Sequence, residues 1–417
     1  MKNKIIENLD NPAQLEKLYR EDKPAFKRAF NVLLPELKDN NLVSFWNERL
    51  NYESESIKWG TSRELLFVII ASLVAGLIAK LPAIFSIDQE FFYPRNIGFI
   101  IFPVLTVYFA WKNRLSTGKI AFIAGMTLIG LLFINFLPDV KKSDTLILSC
   151  IHLPLFLWSL LGLAFVGGTR NNNEQRLDYL RFNGDLIVMT ALILIAGGIL
   201  TGVTIGLFDL IGLNIEKFYF EYVGIFGLAA APVVGTYLTR TNPQLVGKVS
   251  PVIAKIFSPL VLVMLVVYLT AIIFSGKDPY NDRDFLLIFN ALLIGVLALI
   301  FFSVAETSKR SSRSKSHLEI WILFLLSVVT IIVNCIALSA ILFRISEWGI
   351  TPNRAAVLGA NLLVLINLLV VTAQLFRVLR KRREISGVGK VIAKYLPIYI
   401  IWTVIVTFAF PLIFWFT

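Results

Sequence analysis

Eleven apolar stretches, each close to the length of a membrane-crossing helix, divide this chain. They run at 64–86, 97–111, 120–138, 145–166, 186–208, 219–239, 257–275, 285–304, 319–343, 355–376 and 396–416. A spanning helix takes about 20 apolar residues to cross a hydrocarbon core about 30 Å thick. In lipid the backbone polar groups must be paired within the segment or in a closed barrel. Barrel strands are about ten residues long and alternate in polarity. These stretches are longer and apolar on every face, so helix is the reading. Only 16% of the residues are charged, against about a quarter in an ordinary soluble domain. The predicted class is all-α: a polytopic bundle of about eleven transmembrane helices over 59–417, preceded by a small helical module over 1–58.

The loops give the orientation. Those after even-numbered spans hold Lys112, Arg114 and Lys119, then Arg170, Arg176 and Arg181, then Arg240, Lys248 and Lys255. Lys309, Arg310, Arg313 and Lys315 follow, then Arg377, Arg380, Lys381, Arg382, Arg383, Lys390 and Lys394. The other side holds far fewer: Arg95, Lys141, Lys142, Lys217, Lys277, Arg283, Arg344 and Arg354. Basic loops stay cytoplasmic. The expectation is a bacterial inner-membrane protein with its N-terminus inside and Thr417 outside. The net charge of +12 is thereby accounted for without nucleic acid. The basic run at 377–383 serves as a stop-transfer signal or holds anionic lipid headgroups, at about 1 kcal/mol per basic residue. No cleavable signal sequence is expected, because the first 60 residues are polar.

In the module, Asn11-Pro12 opens one helix with Leu15, Leu18 and Tyr19 on a face. Lys23-Pro24 opens another, carrying Phe26, Phe30 and Leu33, and a third stretch carries Leu42, Phe45, Trp46, Arg49 and Leu50. Three short amphipathic helices make a small core, which either packs on the membrane part or docks a cytoplasmic protein.

Span five carries Gly198, Gly202 and Gly206, four apart and so on one helix face. Span six carries Gly227, Ala231 and Gly235, with Pro232 as a source of a kink. Small residues at this spacing let helix backbones approach. The expectation is close packing of spans five and six, or a sliding interface between them.

Between spans nine and ten lies Arg344-Ile-Ser-Glu-Trp-Gly-Ile-Thr-Pro-Asn-Arg354. Gly349 suits a left-handed helix end, Thr351 a helix cap and Pro352 a first turn. Arg354 falls in that first turn, where the helix dipole already favours an anion. Glu347 either pairs with an arginine to lock the hairpin or leaves both arginines for a carboxylate, phosphate or headgroup. An aromatic-Gly-x-Thr-Pro-x-Arg hairpin before a late span, after glycine-rich spans, resembles a bacterial membrane family known as domain of unknown function 4153. The resemblance extends over about 60–417 and rests on Glu347, Gly349, Thr351, Pro352 and Arg354. It implies a multi-spanning membrane protein and brings no activity or cofactor.

Other ionisable groups fall near the same side: Lys80 in span one, Asp209 at the end of span five, and Glu216 and Glu221 at span six. Charges inside a membrane are costly and mark a partner or a site. An outer ligand cavity would join Lys80, Arg344 and Arg354 to Asp209, Glu221 and Glu347. Alternatively, Lys80 reaches the interface along its own stem. Asn290, Asn334, Asn367 and Gln374 lie inside spans, and bonding between helices is the expected use of them. Cys150 and Cys335 sit inside spans, and His152 and His317 fall in different surroundings, so neither a disulfide nor a metal site is expected. Motifs for nucleotide binding, zinc proteolysis or serine hydrolysis are missing, so catalysis is not the expected role and no cofactor is implied. Two functions remain: a permease-like protein moving a small anion, lipid or envelope precursor, and a scaffold or sensor that signals through 1–58.

Overall fold

The computed structural model describes residues 1–9, 11–34, 41–51, 60–140, 143–167, 173–210, 213–247, 249–275, 280, 283–309, 317–380 and 384–416. Lys141, Lys142, Arg170, Lys248, Lys277, Arg310, Arg313, Lys315, Lys381, Arg382 and Arg383 lie outside them. Among the described residues helix is the only regular structure and no strand occurs. The chain divides into two compact units, Met1–Lys58 and Trp59–Thr417.

Among the described residues the first unit has four helices, one more than the sequence suggests: α1 (Lys2–Glu7), α2 (Pro12–Glu21), α3 (Lys23–Leu33) and α4 (Asn41–Asn51). Each proline-led start is capped by the residue before it. Asn11 Oδ1 accepts from the Gln14 amide at 3.2 Å, and Asp22 Oδ1 from Ala25 at 2.9 Å. These acceptors satisfy amides that a helix start leaves unpaired. Ile5, Leu15, Phe26, Phe30, Trp46 and Leu50 form the core. Glu16 meets Arg20 and Arg49, each at 2.9 Å, and the Arg49 guanidinium stands 4.8 Å from the Trp46 ring.

Among the described residues the second unit holds eleven longer helices. They are α5 (Ser62–Phe85), α6 (Gln89–Lys112), α7 (Thr117–Phe136), α8 (Asp144–Val166), α9 (Asn173–Leu210) and α10 (Glu216–Thr241). Then come α11 (Val249–Ser275), α12 (Arg283–Lys309), α13 (His317–Trp348), α14 (Pro352–Leu379) and α15 (Ser386–Ile413). Among the described residues nine of these are long and apolar enough to cross a membrane. In α11 and α12 the apolar segments are shorter, Lys255–Thr270 and Phe289–Ala305.

Most helices outrun their apolar stretch, because the backbone ladder continues past the oily residues. At about 1.5 Å per residue, α9 with 38 residues is much longer than the bilayer core is thick. Pro232 lies within the regular part of α10. The departure from α geometry comes earlier, in a π-helical stretch at Tyr219–Gly224, and α15 has another at Ile405–Ala409. Such bulges leave the local hydrogen-bond ladder irregular.

Among the described residues two smaller clusters and two large apolar cores hold this unit. One gathers Ala75, Leu105, Phe109, Leu157, Tyr179 and Val233 from α5, α6, α8, α9 and α10. The other gathers Leu265, Ile300, Leu326, Leu368 and Val388 from α11 to α15. Trp158 packs against both. The end of α15 also returns to α8, where Ser149 Oγ donates to the Thr407 carbonyl at 2.8 Å.

Candidate functional site

The hairpin at 344–354 follows its local grammar. Gly349 has φ +75° and its amide closes on the Ile345 carbonyl at 2.9 Å. Thr351 caps α14, with Pro352 in its first turn. Arg354 then turns back onto the preceding helix. Its Nη1 donates to the carbonyls of Trp348 at 2.9 Å and Gly349 at 2.7 Å. Helix ends carry unpaired carbonyls and partial negative charge, and one guanidinium answers both. Arg344 is buried and its Nε donates to the Tyr280 carbonyl at 2.7 Å. Both guanidiniums lie within 6 Å of the Trp348 ring, at 5.7 and 5.6 Å. Glu347 is exposed and makes no ion pair among the described residues. Of the two readings of Glu347, the arginine lock is not formed: both arginines bond backbone carbonyls instead.

Lys80 is 8% exposed and its Nζ stands 4.3 Å from the centre of the Tyr222 ring. The ring's π-face attracts the ammonium, so Lys80 neither extends to water nor pairs with an acid. Asp209, Glu216 and Glu221 are exposed and make no ion pair among the described residues. No ion pair joins any two of Lys80, Arg344, Arg354, Asp209, Glu221 and Glu347. Each cation has a local partner instead.

The glycine reading needs correction. A Cβ placed at Gly198, Gly202, Gly206 or Gly227 meets nothing within 4 Å. Gly235 is the close contact between α9 and α10, with Thr190 Oγ1 at 2.9 Å and Leu186 Cδ1 at 3.2 Å from such a Cβ. Packing occurs in the first half of α9. The half with the three-glycine stripe is flanked by exposed Ile195, Ile199 and Leu207.

The arrangement with the most chemistry lies between α13, α14 and α15. Ser327, Thr330, Asn334, Asn361 and Asn367 are all buried. Thr372 Oγ1 donates to Ser327 Oγ at 2.9 Å and Asn334 Nδ2 to the Asn361 carbonyl at 3.1 Å. Asn367 Nδ2 donates to the Tyr399 hydroxyl at 3.0 Å, and Tyr395 donates to the Leu363 carbonyl at 3.1 Å. Interhelical bonding is thus real for Asn334 and Asn367, but it uses only part of each amide. Asn334 Oδ1, Asn361 Nδ2, Asn367 Oδ1 and Gln374 Oε1 are enclosed without a partner among the described residues. Buried polar atoms are nearly always paired, and an orphan points to a water, an ion or a role. Ser327, Thr330, Asn334, Ala337, Ile341 and Arg344 recur at three- or four-residue steps along the buried side of α13. The polar and small part of this stripe runs from Ser327 to Ala337, and buried Ile341 stands between it and Arg344, about 25 Å from Ser327 at 1.5 Å per residue.

Sequence reading missed other buried charges. Arg95 falls inside α6 and reaches Asp139 at 3.0 Å. Glu64 accepts from Tyr108 at 2.6 Å and Lys112 at 2.5 Å, tying the start of α5 to the end of α6. Arg181 lies within α9, where it bonds Asp178 and the Ala305 carbonyl. The available signal was a charge at the edge of an apolar stretch or within about five residues of it, where the helix continues past the oily window. Cys150 is half-buried and Cys335 exposed, both free. His152 Nδ1 lies 2.8 Å from the Leu148 carbonyl. No group of three or more His, Cys, Asp or Glu could hold a metal among the described residues. In comparisons with known proteins, no family model, no curated protein and no solved structure matches this chain.

Proposed function

We propose that this chain is a permease-like protein of a bacterial cytoplasmic membrane, with its N-terminus inside, its C-terminus outside, and membership of the domain-of-unknown-function family that its hairpin resembles. The supporting observation is the polar seam that joins Ser327, Thr330, Asn334, Asn361, Asn367 and Gln374, with one orphaned amide atom on each of the last four. An unpaired amide end enclosed in a dry bundle costs about 1–3 kcal/mol, a cost that water or a small hydrogen-bonding solute passing along the seam would relieve. Arg344 and Arg354 around Trp348 at the outer end favour an anion or an anionic lipid headgroup at the mouth.

Cysteine accessibility tests this reading. In a chain with Cys150→Ala and Cys335→Ala, Asn334→Cys and Asn367→Cys are treated with a small charged methanethiosulfonate from the outer side. Labelling of both is expected. Full protection of both, in a folded protein, would mean that no water path reaches the seam and would remove the permease reading. A scaffold is the second reading, favoured by the separate core of residues 1–58 and by Phe45, which stands 59% exposed there. Capture of a cytoplasmic partner that is lost on Phe45→Ser would support it.

A further inference from the structure

A second binding site is carried by Arg95 and the groove beside it. Arg95 sits in the second turn of α6 with its side chain 2% exposed. Its Nη2 reaches Asp139, whose side chain is 71% exposed, and its guanidinium lies 4.2 Å from the centre of the Phe91 ring. Its Nη1 is enclosed without a hydrogen-bond partner among the described residues. A buried guanidinium with one exposed counter-ion and one idle nitrogen is under-neutralised where the dielectric is low. Next to it Asn96 and Asn135 bond each other through both amides at 2.9 Å, fixing α6 to the end of α7.

The neighbouring surface is of the opposite kind. A groove of about 600 Å³ lies between the end of α7 and the C-terminal segment, lined by Ile129, Leu132, Phe136, Pro138, Leu412 and Phe416 among others, all apolar. Pro138 in its wall is followed directly by Asp139, the partner of Arg95. One wall of the apolar slot thus continues, through a single peptide bond, into the carboxylate that meets the buried cation. Phe136 and Leu412 are widely exposed, as suits a surface bathed by hydrocarbon.

We propose that this groove seats one acyl chain of an anionic phospholipid, whose phosphate takes the place of the Asp139 carboxylate on Arg95. A guanidinium fork matches a phosphate with two parallel bonds, so Nη2 keeps an acceptor and Nη1 gains one. Releasing Asp139 costs little because it already faces water. The hydrocarbon chain supplies apolar contact along the groove, and the pairing of chain and phosphate selects an amphiphile over a free anion.

The test uses the full chain, purified in detergent and stripped of lipid. Dioleoylphosphatidylglycerol and dioleoylphosphatidylcholine are titrated separately, with bound lipid counted by native mass spectrometry and affinity taken from thermal shift. The phosphatidylglycerol is expected to bind tighter by about tenfold, the worth of one charge-assisted hydrogen bond. Arg95→Gln is expected to abolish that preference. Asp139→Asn, which leaves Arg95 in place without its competitor, is expected to strengthen it. Ile129→Trp, filling the groove from its exposed wall, is expected to remove the bound lipid while the Arg95–Asp139 pair persists. If Arg95→Gln does not fold, the other two variants carry the test. Equal affinity for the two lipids, or a preference left unchanged or weakened by Asp139→Asn, would overturn the proposal. So would equal stabilisation by glycerol phosphate, which has the headgroup chemistry without the chain.

Discussion

Arg354→Ala isolates what closes the hairpin between α13 and α14. The side chain makes two bonds from one nitrogen, to the Trp348 and Gly349 carbonyls at 2.9 and 2.7 Å. A hydrogen bond to a charged group contributes about 1.5–3 kcal/mol when buried, but Trp348 and Gly349 are exposed, so water recovers part of it. Counting the pair as about 1–2 kcal/mol and the contact with Trp348 as about 0.5 kcal/mol at an exposed site, the loss is about 2 kcal/mol. Arg354→Lys keeps a cation near the helix end with one donor direction, and about half the loss is expected. Glu347→Gln removes a carboxylate that pairs with nothing among the described residues, so its effect should stay within about 0.5 kcal/mol, as for ordinary surface changes. Unfolding in dodecyl sulfate, followed by far-ultraviolet circular dichroism at rising detergent fraction, ranks the three variants against the unmodified chain. The reasoning fails if Glu347→Gln costs as much as Arg354→Ala, because the hairpin would then be held by the carboxylate and not by carbonyl capping.

Two further outcomes are expected. A Cβ at Gly76 of α5 collides with the Phe226 ring of α10, whereas one at Gly202 meets nothing. Gly76→Ala should lose about 1–3 kcal/mol to overpacking, partly offset by the helix propensity of alanine, and Gly202→Ala should gain up to about 1 kcal/mol from propensity alone; the same detergent titration reads both, and equal effects would mean that α5 and α10 are not in contact at Gly76. In the N-terminal module, the hydrogen bond from Arg20 is the main reason that the Glu16 carboxyl titrates below its ordinary 4.5, burial opposing and the Arg49 charge assisting. A lowered native value stabilises the fold above that ordinary value and the contribution is lost as pH falls through the lowered one. Amide exchange in α2 and α4 of the full chain should therefore quicken as pH drops below about 4.5 relative to a Glu16→Gln chain, and parallel profiles for the two chains would refute the linkage.

What the sequence disclosed is what a residue's own neighbours decide. Hydrophobic length marked the helices, and Asn11, Thr351 and Gly349 act in the structure as their local chemistry requires. The residues that went astray depend on a partner from a distant segment. Gly202 and Gly235 have the same grammar, a glycine with small residues four positions away, yet only Gly235 faces another helix. Nothing local separates them, because the choice belongs to whichever bulky side chains stand opposite. Arg95 and Arg181 read as loop charges while the oily windows were being counted, since hydropathy falls before the backbone ladder ends. Both are helical and buried. The seam shows the same limit from the other side. Asn367 and Gln374 share a helix face by spacing, and bonding between helices was the natural expectation for both. The structure gives Asn367 a bond to Tyr399 on α15 and leaves Oε1 of Gln374 with no partner among the described residues. A side-chain amide has a donor end and an acceptor end, and helix packing here pairs one end of Asn334 and of Asn367 while leaving their oxygens, and the Asn361 Nδ2 donor, without a partner among the described residues. That one-ended pairing is what separates this seam from a set of ordinary interhelical clasps.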